Sequence, residues 1–325
     1  MRKQFRLFLG YITLICITSV SILLLLPDFR AKSIYNEELC FKVDKFTEEN
    51  DDIDIVFIGS SKIKHHLNDS LFSELTNLNA FNLGVAATNP PESYIFFEDM
   101  LNNGLFNKKV VVLEVRAISE ISYKNWWLER STYWIDDKNL YLSLGLVDSN
   151  KSGILRKIFA RGSYMFGYFS NAIGLNILRD DYLKLPSDSL FKAFTTLENK
   201  VINCELLNRL NQNTVDVIDM NSKVGVSNHF DYLNHLISQA KEKECHLVFY
   251  LAETNLKWQI NELQPIFNKL PKRNKISIID MRLFPFINDC SIKHNVTHFD
   301  SIGADSLTFA MAKEYLKIKN SKLIR

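Results

Sequence analysis

Short, continuous apolar runs alternate along the chain with longer stretches whose apolar residues recur at helical spacing. Each apolar run has too few polar positions for a strand with one face in water, so the pattern is typical of strands buried on both faces of a parallel sheet. The runs that we interpret as strands are residues 53–58, 80–85, 108–115, 246–252 and 276–280. Their alternation with helical segments predicts an α/β fold, a three-layer αβα sandwich around a five-stranded, mainly parallel sheet.

The segments between these runs have the spacing of amphipathic helices. We predict helices over residues 68–78, 92–101, 229–244, 261–270 and 305–317. The rhythm stops between residues 118 and 228, where aromatic residues such as Trp126, Trp127 and Tyr164 are frequent. We interpret this region as a mainly helical insertion that covers the mouth of a site. Its aromatic residues either stack on sugar rings, lie at a bilayer interface or form a small core of the insertion itself.

An uncharged, apolar segment of twenty residues runs from Leu7 to Leu26 and follows Arg2, Lys3 and Arg6. At about 1.5 Å rise per residue, a helix of this length spans roughly 30 Å, the thickness of one bilayer core. Basic residues ahead of such a segment keep that end in the cytoplasm, so the rest of the chain is expected outside.

A cleaved signal peptide is the alternative interpretation of this segment. The segment is longer than the apolar region of a usual signal peptide, and residues 26–30 contain no small-x-small cleavage site. We therefore predict a single-pass protein of the cell membrane with an extracytoplasmic main domain. Its cytoplasmic tip and transmembrane anchor occupy residues 1–27, a juxtamembrane stalk residues 28–50, and the main domain residues 51–325.

Charge and cysteine content argue against several functional classes. The chain has 39 Lys and Arg against 37 Asp and Glu, so it lacks the concentrated basic excess that nucleic-acid binding needs. The cysteines beyond the anchor are scattered and form no Cys-x-x-Cys pair, unlike a disulfide scaffold, a zinc site or a redox motif. His65 and His66 are adjacent, and neighbouring residues of a helix point about 100° apart. We therefore predict no metal site and no cofactor.

Two blocks near the ends of the main domain carry candidate chemistry. The first apolar run ends in Gly59-Ser60-Ser61, which places a serine at the carboxyl edge of the sheet, although small residues are common after any first strand. The second block contains His298 just before the last predicted helix. An early serine and a late histidine in this arrangement resemble the SGNH/GDSL hydrolase superfamily. More narrowly, they resemble its membrane-anchored extracytoplasmic branch, which includes cell-wall polysaccharide acyltransferases and the D-alanine-transfer protein of teichoic acid modification.

The resemblance implies a serine nucleophile and a histidine base. Ser61 matches the nucleophile of the family's Gly-Asp-Ser, with Ser60 in the place of the aspartate, and His298 matches the histidine that accepts its proton. The backbone N–H groups of Ser61 and Gly84 match the oxyanion-hole donors. Gly84 is equally interpreted as a glycine that the turn alone requires.

One further oxyanion donor departs from the family pattern. The family often has Gly-x-Asn after the third strand, and in this chain Arg116 stands where the asparagine would be. A guanidinium can donate to an oxyanion or bind an acidic substrate. The alternative is a structural salt bridge with Glu114 or Glu120.

The acid of the triad is also replaced. The family's Asp-x-x-His has an aspartate three residues before the histidine, and here that position is Asn295. An amide can orient an imidazole but cannot stabilise the imidazolium as a carboxylate does. Asp280 at the end of the fifth run and Asp300 just after the histidine are alternative acids. A Ser–His dyad assisted by Asn295 is the third option.

The resemblance implies an extracytoplasmic esterase or O-acyltransferase acting on acyl groups of a cell-envelope glycan. The expected partners are the lipid bilayer, through Leu7 to Leu26, the glycan substrate, and, as a candidate, a multi-pass membrane protein that donates the acyl group. A catalytically degenerate SGNH-like protein that binds glycan or an assembly partner is the alternative. A structural subunit of an export or acylation complex is a third hypothesis.

Overall fold

The structure is a computed structural model, and it describes residues 34–117 except 87 and 89, 224–278 except 253–256, and 283–321 except 296 and 297. Isolated positions at 10, 11 and 13 and between 140 and 168 are also described. Most of the predicted anchor and most of the predicted insertion therefore lie outside the described residues. Within the part of the chain that is described, no helix has the length and apolar character needed to cross a membrane.

The five strands form one sheet in which every neighbouring pair is parallel. In chain order they are β1 (Ile55–Ile58), β2 (Ala80–Asn82), β3 (Val110–Val115), β4 (His246–Leu251) and β5 (Lys275–Ser277). Their order across the sheet is β2-β1-β3-β4-β5. The prediction of an α/β fold with a five-stranded parallel sheet is thus confirmed, and each strand lies within or one residue beyond its predicted run.

Helices connect and cover the strands. They are α1 (Ile34–Glu48), α2 (Ser61–His66), α3 (Asp69–Thr76), α4 (Pro90–Asn102), α5 (Val224–Glu242), α6 (Lys257–Lys269) and α7 (Ser301–Asn320). α7 begins four residues earlier than predicted because Asp300 caps it, accepting a hydrogen bond from the N–H of Gly303 at 2.9 Å.

Each face of the sheet packs against its own hydrophobic cluster. Along β1, Val56 and Ile58 belong to one cluster, which also contains buried side chains of α1, α4, α5 and α6. Ile55 and Phe57 point the other way, into a cluster with α2, α3 and α7. Because both faces are covered, all four side chains of β1 are buried, which explains why its sequence is a continuous apolar run.

Helix α1 packs against the sheet at the position where the sequence predicted a juxtamembrane stalk. Leu39 and Phe46, seven residues apart and so on one helix face, are 4% and 0% exposed. The Phe46 ring lies 5.5 Å from that of Phe81 and 5.7 Å from that of Phe106. Between Leu39 and Phe46 this helix therefore contributes to the core of the main domain.

The order of the strands determines where a site can form. The chain passes from β1 to β2 on one side and then returns to place β3 on the other side of β1. The loops that follow β1 and β3 therefore diverge at the carboxyl edge of the sheet, and this topological switch point is where open α/β sheets bind ligands. The segment that begins with Gly59 leaves the sheet there.

Candidate active site

The turn after β1 approaches the neighbouring strand so closely that only glycine fits at its first position. A Cβ atom added to Gly59 would lie 2.5 Å from Oε2 of Glu114, a residue of β3. That distance is shorter than any ordinary contact between such atoms. Gly59 is therefore required by the close approach of the Glu114 carboxylate.

Ser60 is held by that carboxylate. Its backbone N–H donates to Glu114 Oε2 at 2.6 Å and its hydroxyl donates to Glu114 Oε1 at 3.1 Å. The same hydroxyl accepts a hydrogen bond from the N–H of Lys62 at 3.3 Å, which makes Ser60 the N-cap of α2. Ser60 and Glu114 are 2% and 1% exposed. The turn is therefore held by hydrogen bonds in the interior of the protein.

The next residue, Ser61, faces a histidine that is 237 positions away in the sequence. Its Oγ lies 2.9 Å from Nε2 of His298. The other ring nitrogen, Nδ1, lies 3.1 Å from Oδ1 of Asn295, and the backbone N–H of His298 donates to that same oxygen at 3.0 Å. The structure thus brings Ser61, His298 and Asn295 together in one chain of hydrogen bonds, called the relay below.

The hydrogen bonds of Asn295 determine the tautomer of the neutral ring. An amide oxygen can only accept, so Nδ1 of His298 carries the proton that it donates to Oδ1. In the neutral ring Nε2 is then an acceptor, and the Ser61 hydroxyl donates to it. This is the arrangement in which a histidine can take a proton from a serine.

The loop that carries His298 is closed by backbone bonds. The N–H groups of His294 and Asn295 both donate to the carbonyl oxygen of His298, at 2.9 and 3.2 Å. Next to it, the N–H of Phe299 donates to Nε2 of the buried His66 at 3.2 Å. Because His66 belongs to α2, this bond ties the histidine loop directly to the helix that begins with Ser61.

Helix α7 is attached to the same region. Asn68, which caps α3, donates two hydrogen bonds to α7. Its N–H donates to Thr308 Oγ1 at 3.0 Å, and its Nδ2 donates to Asp305 Oδ1 at 3.2 Å. At the start of α7, a Cβ on Gly303 would meet Ile292 O at 2.5 Å. The glycine lets the helix pack tightly on the loop before His298.

Of the two alternative acids, Asp300 serves as a helix cap. Asp300 is 1% exposed, and its Oδ1 accepts the N–H of Gly303 as the cap of α7. Asp280 lies outside the described residues. Among the residues described, the group on Nδ1 of His298 is the amide of Asn295.

The predicted oxyanion donor Gly84 has both of its backbone groups engaged. Its N–H donates to Asn82 Oδ1 at 2.9 Å, and its carbonyl oxygen accepts a hydrogen bond from Lys42 Nζ at 2.5 Å. A Cβ at this position would lie 2.4 Å from the backbone nitrogen of Lys64. Gly84 is thus a close-approach glycine between the β2 loop and α2. The alternative interpretation, a glycine needed only for a turn with positive φ, is wrong, because among the described glycines Gly104 has a positive φ and Gly84 does not.

Arg116 lies at the end of β3, beside the turn. Its Nε is 4.0 Å from Glu114 Oε1, and its Nη1 donates to the carbonyl oxygen of Thr88. The side chain is 25% exposed, so it is partly open to solvent. The pairing with Glu114 corresponds to the structural salt bridge that the sequence left open.

The adjacent histidines both lie beside the His298 ring. The His66 ring is fully buried and lies edge-on to that of His298, with centroids 5.3 Å apart, while the His65 ring lies 6.0 Å from it. No group of three or more potential metal ligands occurs among the described residues.

Sequence reasoning missed the polar residues that support the turn from inside the protein. Asn82 is fully buried, and its Nδ2 donates to the carbonyl oxygen of Ile63 in α2 at 2.9 Å and to that of Leu67, the residue after α2, at 2.8 Å. Glu114 was considered only as a partner of Arg116. The signal for both was a polar residue inside or beside an otherwise apolar strand, because such residues are buried only with partners.

A cavity of about 460 Å³ lies elsewhere, beside the edge strand β5. It lies between α6 and α7, and its lining includes Lys272, Lys275 and Lys317. Neither Ser61 nor His298 lines it. The chemistry-bearing residues therefore lie outside this cavity, at the carboxyl edge.

Comparison of the sequence with protein-family models and with curated proteins finds no match. The geometry of the site is thus the basis on which a function can be proposed.

Proposed function

We propose that this chain is a membrane-tethered, extracytoplasmic SGNH-like esterase or O-acyltransferase that acts on acyl groups of a cell-envelope glycan. The observation that carries the proposal is the contact of 2.9 Å between Ser61 Oγ and His298 Nε2, with Asn295 on the other ring nitrogen. A serine hydroxyl is a weak nucleophile until an adjacent base accepts its proton, and this geometry provides such a base.

The proposed reaction has two steps. Ser61 Oγ forms a bond to the acyl carbon while its proton moves to His298 Nε2, and the proton then passes to the departing sugar oxygen. In the second step the oxygen of water or of a sugar hydroxyl bonds to the acyl carbon while its proton moves to His298 Nε2. The bond between the acyl carbon and Ser61 Oγ then breaks, and Ser61 Oγ takes the proton back from His298. Asn295 is a positioning residue, because its amide oxygen orients the ring without contacting the reacting atoms.

The fold supports the SGNH-like part of the proposal. Helices on both faces of the sheet are consistent with a three-layer αβα sandwich, and the strand order β2-β1-β3-β4-β5 is that of flavodoxin-like sheets. The candidate nucleophile follows β1 at the switch point of this sheet. Fold alone does not assign chemistry, so this support is secondary to that of the side chains.

The sequence supports the location and the substrate class. An apolar segment from Leu7 to Leu26 behind basic residues favours an uncleaved anchor with the main domain outside. A tethered enzyme is restricted to substrates near the outer membrane face, which favours a glycan of the envelope. The aromatic residues between 118 and 228 are suited to stacking on sugar rings.

Covalent labelling with a fluorophosphonate tests the proposal. Such a probe phosphonylates an activated serine and releases fluoride, so intact-mass and peptide analysis of the detergent-purified full chain should find one adduct, at Ser61. Ser61→Ala should abolish the adduct, and the matched control Ser70→Ala, at an exposed serine of α3, should retain it. The absence of any adduct on the folded wild-type protein would contradict the proposal.

A second candidate function is a catalytically degenerate SGNH-like protein that binds a glycan or an assembly partner of the envelope. Asn295 stands where a carboxylate would stabilise the imidazolium, and the N–H of Gly84 is already bonded to Asn82. Both observations favour a binding role. This candidate predicts that the folded protein takes up no fluorophosphonate but retains glycan in a pull-down, and that Ser61→Ala leaves the retention unchanged.

A further inference from the structure

A buried cluster of charges connects the N-terminal helix α1 to the candidate active site. Glu38 and Lys42 lie one turn apart on α1, with Lys42 Nζ 3.5 Å from Glu38 Oε1. The same carboxylate oxygen lies 2.8 Å from Nζ of Lys64 on α2. Glu38 and Lys42 are 3% and 1% exposed. Two residues of a helix that the sequence predicts as a stalk are therefore among the most buried charged residues in the described part of the chain.

The cluster contacts both segments that flank the candidate nucleophile. Lys64 is three residues after Ser61 on α2, so the Glu38–Lys64 ion pair holds that short helix against α1. Lys42 donates to the carbonyl oxygen of Gly84 at 2.5 Å. The residue after Gly84, Val85, donates its N–H to the carbonyl oxygen of Gly59 at 2.9 Å, which precedes the Ser60-Ser61 turn.

We propose that Lys42 and Glu38 are positioning residues of the Ser61 site, so that α1 is a part of the reactive centre's scaffold rather than a spacer. This inference rests on the proposed function for its kinetic consequences, but not for its structural ones. Buried ion pairs are weak contributors to net stability because desolvation offsets their attraction, whereas they can specify one arrangement of the elements that they join. Here the joined elements are α1, α2 and the loop after β2.

The chain offers a matched control at the end of the same helix. Lys45 in the last turn of α1 and Glu49, the residue after α1, form an ion pair with the same four-residue spacing, 3.8 Å between Nζ and Oε1, but their side chains are 44% and 50% exposed. Lys45→Met and Glu49→Gln therefore remove the same two kinds of charge at a place that does not contact the site. Lys42→Met and Glu38→Gln are the corresponding site variants, and Glu38→Gln preserves the size of a buried side chain in case Lys42→Met does not fold.

Two readouts on the full chain separate this inference from the proposed function. Hydrogen exchange followed by mass spectrometry should show faster exchange in peptides covering residues 59–67 and 83–88 of the site variants and no change there in the control variants. In the site variants, the rate of fluorophosphonate labelling at Ser61 and kcat for a simple aryl acetate should each fall about 10- to 100-fold, since small displacements of a reacting group have effects of this size. KM for the aryl acetate should change less than about twofold. The control variants should keep the wild-type labelling rate and the wild-type kcat.

Unchanged exchange in these peptides, in site variants that are folded, would overturn the inference whether or not the protein is an enzyme. Where the wild type is labelled, an equal labelling rate in Glu38→Gln would also overturn it. If the wild type takes up no probe while exchange still increases in the site variants, the proposed function fails and the positioning role of Glu38 and Lys42 stands.

Discussion

At the scale of single residues, the candidate site depends on which atom faces each nitrogen of His298. Asn295 Oδ1 accepts the hydrogen bond of Nδ1, so Nε2 is the nitrogen that accepts from the Ser61 hydroxyl. What the amide cannot supply is negative charge for the imidazolium that forms when His298 takes the proton. In serine proteases with a Ser-His-Asp triad, replacing the aspartate with asparagine lowers kcat by about 10⁴.

Asn295→Asp should therefore raise the reactivity of Ser61. A carboxylate at this position can accept from both Nδ1 and the backbone N–H of His298, as the amide oxygen does now, and adds the missing charge. We expect the rate of fluorophosphonate labelling at pH 7 to rise by about tenfold or more. Asn295→Ala should lower that rate, because the ring loses its orienting partner. A faster rate in Asn295→Ala than in Asn295→Asp would contradict the relay.

Gly59→Ala should destabilise the protein. Its Cβ would meet the buried Glu114 carboxylate at 2.5 Å, and overpacking at such a site costs about 1–3 kcal/mol or more. Equilibrium unfolding in urea measures the change. Gly162→Ala is the control, since nothing lies within 4 Å of its Cβ position, and it should be neutral or slightly stabilising. Equal stability of Gly59→Ala and wild type would mean that the turn is not packed as described.

At the scale of elements, the strands were predictable and part of the helical framework was not. A continuous apolar run such as that of β1 is typical of a strand with both faces covered, and all four side chains of β1 are buried. The segment that forms helix α1 was assigned to a juxtamembrane stalk. Two of its charged residues, Glu38 and Lys42, are instead buried as a pair, and no local pattern distinguishes that pair from the exposed Lys45–Glu49 pair.

Helix α5 carries two histidines whose effects on stability should have opposite signs. His229 is fully buried with Nε2 2.9 Å from Tyr94 Oη, and burial lowers its pKa to about 3. His235 lies 3.3 Å from Glu98 Oε1, and its hydrogen bond to that carboxylate raises its pKa.

The unfolded chain binds a proton at His229 below about pH 6.5 while the folded protein does not, so this residue lowers stability progressively as the pH falls from about 6.5 towards 3. Urea unfolding at pH 7 and pH 4.5 should show a smaller acid-induced loss of stability in His229→Phe than in wild type.

His235 behaves in the opposite way. Its raised pKa contributes stability that is fully present below about pH 6.5 and is lost as the pH rises through the folded value. His235→Gln should therefore reduce stability more at pH 5 than at pH 8. Unfolding curves that shift equally at the two pH values for either variant would contradict the assigned environments.

At the scale of the whole molecule, the sheet brings together residues from both ends of the chain. That Ser61 and His298 lie 2.9 Å apart was expected only from a family resemblance, since no local pattern relates two positions so distant in sequence. The roles of these residues remain predictions. The hydrogen bonds that hold the Ser60-Ser61 turn and α2, from Glu114 on β3 and Asn82 at the end of β2, could not be predicted from the sequence. They depend on which strand ends lie side by side in the sheet.

Where the chain is cut should matter for this assembly. A chain that begins at Ile34 keeps α1, so it should leave the membrane fraction while retaining the labelling rate at Ser61. A chain that begins at residue 51 lacks Glu38, Lys42 and the buried Phe46, and it should lose most of that rate and much of its stability. Fractionation followed by fluorophosphonate labelling measures both properties. Equal labelling of the two truncated proteins would contradict the role of α1.

The most direct test of the central claim compares the labelling rate of Ser61 in wild type and His298→Gln. Glutamine roughly preserves the polar character of the position but cannot act as a base near neutral pH. If Ser61 is activated by His298, the second-order rate constant for fluorophosphonate labelling at pH 7.5 should fall by at least about 100-fold, within the range that general-base catalysis contributes. A folded His298→Gln protein that is labelled at Ser61 as fast as wild type would contradict the account.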